Sequence, residues 1–288
     1  FRRVLFRSMV SIAILPLIWW LSKYGTIFPS DWRVKGFALG LAGACMLMPI
    51  GTQARTGLLC LGLLGGMVFI RSRHKVLMAM ASIALVATAI PFLPASYTQR
   101  MNTLNNVQGD ESASTRLAVW AWTWDYVKKK PTGGGFEAYL GNSFTYYASK
   151  TEGSGATTSI EREKITDTGR AFHNAYFEVL GEQGFPGLAL WLSIQIISLF
   201  RTEWLRRIYK KRTEPEYAWV AGLALALQQG HLVYLLGSMF IGVAYQPFIY
   251  MLLALQIGLD TYLTRRRHEE ARTPIFKTRA ARPASVPA

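Results

Sequence analysis

The sequence predicts an all-α polytopic membrane protein with a large, partly helical loop on the outer side of the membrane. The chain is 51% hydrophobic with a mean hydropathy of +0.18, yet its net charge is +15. A soluble basic domain rarely combines these values, because its apolar excess has to be buried. Several apolar runs also approach the roughly 20 residues that cross a hydrocarbon core.

The apolar runs fall into two groups on either side of a long polar segment. We predict spans at 9–22, 36–53, 57–70, 76–95, 187–200 (its helix starting a turn or two earlier) and a pair within 217–263. The predicted organisation is a non-native leader (1–8), transmembrane helices (9–95), a periplasmic loop domain (96–186), transmembrane helices (187–263) and a basic cytoplasmic tail (264–288).

The beginning of the chain indicates an N-terminally truncated fragment, because it opens with Phe1 and not with Met. Residues 1–8 resemble translated adapter sequence, and we expect them to lie outside the native fold. We expect the basic tail from Arg265 to be disordered.

The positive charge is concentrated in short connections. More than half of the 32 Lys and Arg residues lie in four segments, 31–36, 71–75, 201–212 and 265–282. Cationic loops between spans stay in the cytoplasm. The segment 96–186 has nearly balanced charges, so we assign it to the outside. Nucleic-acid binding is disfavoured, because the cations lie between spans and not on one face of a folded domain.

Arg55 lies at the outer end of a short span. Only about 24 Å of helix at 1.5 Å per residue separates it from Arg71, less than the roughly 30 Å hydrocarbon thickness. We therefore expect Arg55 slightly below the outer interface, facing protein or a water-filled vestibule. An arginine at that depth usually has an anion to bind. Snorkelling to the outer headgroups is the structural alternative.

Residues 114–130 predict an amphipathic helix at the membrane surface. Arg116, Trp120 and Trp124 recur at i, i+4 and i+8, which places one cation and two indoles on one face. Pro131 and the glycines at 133–135 end this helix. The triple glycine is a weak nucleotide signal, and a turn is the simpler interpretation. Residues 139–160 are expected to form a mobile loop that could gate access.

His173 is the only histidine of the polar segment, and it precedes a helix predicted from Ala175. Gly184, Pro186 and Gly187 then predict a break where this helix meets the next span. A histidine can accept a proton at neutral pH, and arginines can hold a diphosphate bidentately. Together with Arg55 and Arg116, His173 suits transfer from a diphosphate-activated donor to a hydroxyl.

Structural roles remain open for these residues. Glu178 and Glu182 are plausible partners for an ion pair or a polar contact with the candidate side chains. His231, which lies in a span beside two glutamines, suits either a proton path or helix packing, and packing is favoured. No HExxH, CxxC or clustered acidic motif occurs, so we expect neither a metal site nor a cofactor.

Three ordered blocks resemble the O-antigen ligase and O-antigen polymerase superfamily. His173-Asn174, nine residues and Gly184-x-x-Gly187 resemble its H-[NSQ]-x9-G-x-x-G signature. The segment 52–57 resembles its T-x-S-R-[GT] block, although Ala54 replaces the usual serine. The segments 114–117 and 130–135 resemble its S-x-R-L...W...P-x-G-x-G block. The stretch 168–187 is also similar to O-glycosylation ligases associated with exosortase systems.

The resemblance implies a metal-independent glycosyltransferase of the bacterial inner membrane with a periplasmic site. Its donor would be an undecaprenyl-diphosphate-linked glycan, and its acceptor a lipid A-core, a protein Ser/Thr or another glycan. His173 would activate the acceptor hydroxyl, while Arg55 and Arg116 would hold the diphosphate. Arg170 and Asn174, which flank His173, are further candidates for substrate binding. Membrane lipids are expected partners, and nucleic acid is not.

Three alternatives remain at this level. Ligases and polymerases of the superfamily share these blocks. A transporter or flippase of a lipid-linked anion would use the arginines only for binding, with His173 as a structural residue. A non-catalytic scaffold would leave Arg55 without an anion to bind.

Overall fold

The computed structural model describes residues 2–52, 54–80, 83, 111–152 and 159–272. Helices dominate this part of the chain, and one antiparallel hairpin joins β1 (Ser143–Glu152) to β2 (Ser159–Thr168). The longer helices are α1 (Arg2–Ala13), α2 (Leu15–Tyr24), α3 (Trp32–Gly51), α4 (Arg55–Arg71), α5 (Glu111–Lys129), α6 (Ala175–Lys210), α7 (Val220–Gly237) and α8 (Pro247–Arg272).

The predicted fold class is confirmed. Among the described residues, four helical segments are long and apolar enough to cross a membrane: Val4–Tyr24, Trp32–Gly51, Ala175–Lys210 and Pro215–Phe240. The helices α3 and α4 cover the predicted spans 36–53 and 57–70, and α7 and α8 cover the predicted last pair. Of these four helices, α3 and α7 belong to the segments long and apolar enough to cross a membrane, and the crossing by α4 and α8 stays a prediction. The predicted span 76–95 is helical over residues 76–80, and its remainder, apart from residue 83, lies outside the described residues, as does the segment 97–109.

Two helices continue beyond the predicted ends of their spans. The helix α6 runs through the predicted connection from residue 201 to Lys210, because Glu203 forms ion pairs with Arg206 and Arg207 one turn later. The helix α8 continues to Arg272, so the first part of the expected disordered tail is helical. Hydropathy marks where a helix leaves lipid but does not mark where it ends. Residues 273–288 of this tail lie outside the described residues.

Two further segments also differ from expectation. Residues 2–8, expected outside the fold, form the first turns of α1, where Leu5 and Ser8 are buried. Their non-native origin stays a prediction. The segment 139–160, predicted as a loop, contains a 3-10 turn at Ala138–Gly141 and the strand β1. Its β-branched and aromatic residues favour an extended strand. Residues 153–158 lie outside the described residues.

The helix α7 lies in the centre of the bundle and packs against α1, α2, α4, α6 and α8. The Trp20 indole at the end of α2 donates a 3.0 Å hydrogen bond to the Trp219 carbonyl at the start of α7. Cys60 near the start of α4 lies 3.7 Å from the Val233 carbonyl near the end of α7. Both α2 and α4 are therefore antiparallel to α7 and parallel to each other.

A buried polar network joins α6, α7 and α8 inside the bundle. The fully buried His231 ring places Nε2 2.8 Å from Oε1 of Gln195 and Nδ1 3.3 Å from Nε2 of Gln256. An amide oxygen only accepts and an amide nitrogen only donates, so Nε2–H donates and Nδ1 accepts. Ser198 donates to the Gln256 oxygen. The network agrees with the packing role favoured for this histidine.

We expect His231→Leu to lower the free energy of unfolding by about 1 to 2 kcal/mol, because it leaves the buried side-chain oxygen of Gln195 without its donor and removes one of the two acceptors of the Gln256 amide nitrogen. Reversible unfolding in mixed micelles measures the change. The matched control is His268→Leu at an exposed position near the end of α8, which should be neutral. Equal stability of both variants would show that the network around His231 does not contribute to the packing of the three helices.

Candidate active site

The backbone around His173 is held on both sides. The buried Phe172 packs its ring against Gly181, where a Cβ would lie 2.5 Å from the ring. The Trp120 indole donates a 2.8 Å hydrogen bond to the Phe172 carbonyl. His173 itself has a left-handed backbone with φ of 51° and a partly exposed side chain. Such a conformation is uncommon for a residue other than glycine and tends to occur at functional sites.

Asn174 fixes the start of α6. Its backbone is extended, and its buried side-chain oxygen accepts hydrogen bonds from the N–H groups of Tyr176 at 2.8 Å and Phe177 at 3.3 Å. An N-cap of this kind contributes about 1 kcal/mol. The helix therefore begins at Ala175, as predicted, with His173 immediately before the cap. Binding of substrate by Asn174 stays a prediction.

The predicted break in α6 occurs at Gly184, whose φ of 66° and ψ of −164° are not helical. The loop 131–135 fills the break. Gly134 N–H bonds to the Gly181 carbonyl at 2.9 Å, and Gly135 N–H to the Glu182 carbonyl at 2.8 Å. The Pro131 carbonyl accepts the Phe185 N–H at 2.9 Å. One loop thus satisfies three of the backbone groups that the break leaves without a helical partner: two carbonyls before it and one N–H after it.

This geometry decides between the two interpretations of the triple glycine. Gly133 N–H bonds to the Lys130 carbonyl at 2.9 Å, so all three glycine N–H groups have protein carbonyls as acceptors. A phosphate cradle would need these N–H groups to be available for the ligand. The glycines instead allow a close backbone approach, since a Cβ on Gly133 would lie 2.5 Å from the Glu182 carbonyl.

Two buried acids of α6 bind neighbouring backbone. Glu182 accepts the Glu137 N–H at 3.0 Å, just after the glycine loop, and Glu178 accepts the Ala244 N–H at 2.8 Å in the α7–α8 connection. Burial, followed by the negative charge of Glu182, raises the pKa of Tyr245 in this connection. The residue pattern alone did not predict this anchoring role. The available signal was a pair of acids one turn apart on an otherwise buried helical face.

Arg55 is the first residue of α4. The extended Ala54 precedes it, and Gly57 lets the helix pack closely on Ser8 and Pro49, where a Cβ would overlap the Ser8 hydroxyl. The first turn of α4 contains no acidic residue. The positive end of the helix dipole therefore adds to the charge of the partly exposed Arg55 side chain. Both features favour an anion at this position.

The helix starts of α4 and α6 lie at the same end of the bundle. Cys60 in the second turn of α4 contacts the Val233 carbonyl, and Tyr176 in the first turn of α6 donates a 3.0 Å hydrogen bond to the Leu235 carbonyl. Both starts therefore pack on the last turns of α7. We call this end, which carries Arg55 and His173, the site end.

The helix α5 joins the site end through its aromatic face. Trp120 stacks on Phe177 with ring centroids 5.2 Å apart, and Trp124 meets Phe185 edge-on at 5.8 Å. These two rings contact α6 on either side of its break. Arg116 lies one turn before Trp120 on the same helix, so the helical spacing of the three residues is as predicted. The approach of the Arg116 side chain to His173 stays a prediction.

Arg170 is anchored mainly by its backbone. Its N–H donates to Oδ1 of Asn142 at 2.9 Å, and its carbonyl accepts from Nδ2 of Asn142 at 2.7 Å. The exposed guanidinium lies 3.1 Å from the Asp167 carboxylate, which partly neutralises the positive charge of Arg170. Arg170 thus closes the base of the β-hairpin three residues before His173. Its predicted contact with substrate stays a prediction.

In the described part of the chain, no group of three or more His, Cys, Asp or Glu side chains is arranged so that it could hold a metal ion. The polar groups of the site end are instead a histidine, arginines and carboxylates that bind backbone amides. This set can move a proton and bind an anion.

A family model described as O-antigen ligase matches residues 37–192, which is more than half of the chain. The chain belongs to the O-antigen ligase family. The match contains Arg55, Arg116 and the stretch from His173 to the break in α6, and it confirms the resemblance seen in the sequence. No curated protein matches the chain, and no solved structure does.

Membership in the O-antigen ligase family has general consequences for function. Its members are glycosyltransferase-like ligases and polymerases, so the chain is an enzyme of this general type. The family implies a lipid-linked glycan substrate and a bacterial membrane.

Proposed function

We propose that the protein transfers a glycan from a membrane-bound polyprenyl diphosphate, of the undecaprenyl type, to an acceptor hydroxyl without a metal ion. The observation that carries this proposal is the placement of Arg55 and His173 at one end of the bundle, on helix starts that both pack against the last turns of α7. We propose that a base and an anion-binding group meet there at the depth of a lipid headgroup.

The proposed reaction balances as a simple displacement. His173 takes the proton of the acceptor hydroxyl, whose oxygen attacks the anomeric carbon of the glycan. The bond from that carbon to the phosphate oxygen breaks, and its electron pair leaves with the lipid diphosphate. Arg55 and Arg116 bind this leaving group, whose charge increases as the bond breaks. The proton on His173 then passes to water.

We further propose that the site end faces the periplasm of the inner membrane. Arg71 ends α4 at the opposite end of the bundle, together with the ion-paired Arg206 and Arg207 of α6. We call this the basic end. An excess of Lys and Arg marks the cytoplasmic side of a membrane protein. Residues 96–186 then form the outer domain, and 9–95 and 187–263 the membrane part.

The acceptor is a hydroxyl of a lipid A-core, a glycan or a protein Ser/Thr. The partly exposed His173 is compatible with each of them. A glycan acceptor on the same carrier would make the enzyme a polymerase, and the other two would make it a ligase.

Arg55→Ala and Arg116→Ala test the binding of the diphosphate. We expect each variant to lower the catalytic efficiency for the lipid-linked donor by about 10- to 100-fold, because a charge-assisted hydrogen bond contributes about 1.5–3 kcal/mol. Arg55→Lys should restore part of it. The matched control is Arg207→Ala at the basic end, whose side chain is exposed. If the kinetics for the donor were unchanged in both Arg55→Ala and Arg116→Ala, the two arginines would have structural roles and would not bind the diphosphate.

Reconstitution of the purified protein in lipid vesicles distinguishes a glycan-transferring enzyme from a flippase. Purified protein in vesicles without an ion gradient should form a covalent glycan–acceptor product and free polyprenyl diphosphate. A flippase would move the intact donor across the bilayer and form neither. Movement of the donor without any covalent product would refute the proposed function.

A further inference from the structure

A cavity of 920 Å³ lies between α2, α4 and α7 at the basic end, opposite to the proposed active site. Its volume is at the upper end of the roughly 300–1,000 Å³ found for small-molecule sites. Lys23, Arg71 and His74 line it, and no Asp or Glu occurs among its described lining residues. The cavity is thus cationic as well as apolar.

The α2 wall changes in character along the helix. Leu15, Trp19 and Lys23 all line the cavity, and they are spaced by four residues, so they form one stripe on the helix. The stripe begins with an aliphatic side chain, continues with an indole and ends with an ammonium group. Tryptophan and lysine in this order are typical of the membrane interface.

The α4 wall repeats this order. Leu64 and Val68 line the cavity in the proposed membrane part, Arg71 follows as the last residue of the helix, and His74 lies three residues beyond it. Since α2 and α4 are parallel, both walls change from apolar to cationic in the same direction. The change from apolar to cationic side chains therefore runs along both walls of the cavity and is not limited to one helix.

The α7 wall is mainly apolar and brings the helices close together. Gly222 packs against the Tyr24 ring, which a Cβ would approach to 2.6 Å. Leu225 and Ala226 continue the wall towards the membrane interior. From Gly222 to Gln229 the wall rises about 10 Å along the helix axis at 1.5 Å per residue. The cavity therefore reaches from the interface into the hydrocarbon region.

Glu203, the acid that interacts with Arg71, does not neutralise this cavity. Glu203 interacts with Arg71 electrostatically, but its carboxylate also bonds to Arg206 at 2.7 Å and to Arg207 at 2.7 Å. Gln228 donates a further hydrogen bond to it at 3.2 Å. Three arginines thus share one carboxylate, and Lys23 adds a fourth cation.

We propose that this cavity binds a membrane phospholipid with an anionic headgroup. Its phosphate lies beside Lys23 and Arg71, its glycerol region at the level of Trp19, and an acyl chain along Leu64 and Leu15. The order of groups in the lipid matches the order of side chains on both walls. A free anion would leave the apolar walls uncovered, and a second copy of the chain would present a basic end of the same charge.

Thermal unfolding of the full chain in detergent tests the site. Phosphatidylglycerol should raise the unfolding temperature in a saturable manner by about 5 °C, and phosphatidylcholine with the same acyl chains should not. Lys23→Gln with Arg71→Gln should weaken this response at least tenfold in lipid concentration. The matched control, Lys210→Gln with Lys211→Gln, removes two exposed cations of the same end outside the cavity and should respond like the unmodified chain. Native mass spectrometry should show retained phosphatidylglycerol in the control only.

Each other outcome overturns the proposal in a distinct way. An equal response to phosphatidylcholine would mean an apolar groove without headgroup selection. A response to inorganic phosphate alone would mean an anion site that does not bind lipid. Loss of the response in the Lys210 and Lys211 control would mean diffuse surface charge. If the double variant does not fold, Lys23→Gln alone changes one exposed residue at a helix end and should still weaken the response.

Discussion

Replacing His173 by alanine is expected to reduce glycan transfer at least about 100-fold, since a positioned general base contributes roughly 10²–10⁴ in rate. Donor binding and the unfolding temperature should change little. The side chain is partly exposed, and the backbone on either side is held by Phe172 and Asn174 without it. The loss should therefore appear in kcat and not in KM for the donor.

The backbone of His173 supplies a sharper control than alanine alone. Because its φ is 51°, alanine adds a small strain at this position, too small to change the unfolding temperature much, whereas asparagine tolerates the left-handed region. His173→Asn should keep the backbone and lose the basic nitrogen, so it should be as inactive as the alanine variant. Activity restored by asparagine would assign the histidine a structural role. His268→Ala at an exposed position should have full activity.

Replacing Gly184 by alanine is expected to lower the free energy of unfolding by about 3 kcal/mol and to abolish most transfer. Its φ of 66° and ψ of −164° lie in a region that essentially only glycine adopts. An added Cβ would also overlap the Pro131 carbonyl oxygen, which accepts the Phe185 N–H. The substitution should therefore separate the glycine loop from α6 and release α5 from its position beside His173.

The control for Gly184 is a glycine within a regular helix. A Cβ on Gly65 in α4 meets no atom within 4 Å, so Gly65→Ala should be neutral or stabilising by up to about 1 kcal/mol. Chemical unfolding and protease sensitivity at residues 131–135 measure the two effects. A Gly184→Ala variant with normal stability and an intact loop would show that the break in α6 does not depend on this glycine.

Hydropathy and capping patterns predicted much of the helical framework. The spans around Arg55, the helix start after Asn174 and the break at Gly184 all follow from local chemistry: an interruption of an apolar run, an N-cap residue, and glycine beside proline. The ends of α6 and α8 were not predicted by these patterns, because ion pairs such as Arg206 with Glu203 extend a helix after its apolar residues end.

The contacts that assemble the candidate site could not be read from the sequence. The loop 131–135 and the break at 181–185 bond through backbone groups, which leave no side-chain signature except glycine. The role of Glu182 depends on a backbone N–H far away in the chain. Side-chain chemistry identified the residues that can react, whereas long-range backbone contacts decide where they lie.

The hydrogen bonds that close the hairpin have a consequence for protein engineering. Asn142 and Arg170 bind each other through two hydrogen bonds, and the Gly169 N–H adds a third to the Asn142 carbonyl at 3.1 Å. These three hydrogen bonds hold the two ends of the hairpin together, and β1 also packs against α5. We expect changes of length and composition within the hairpin to be tolerated as long as the contacts of β1 with α5 and the bonds of Asn142 are kept.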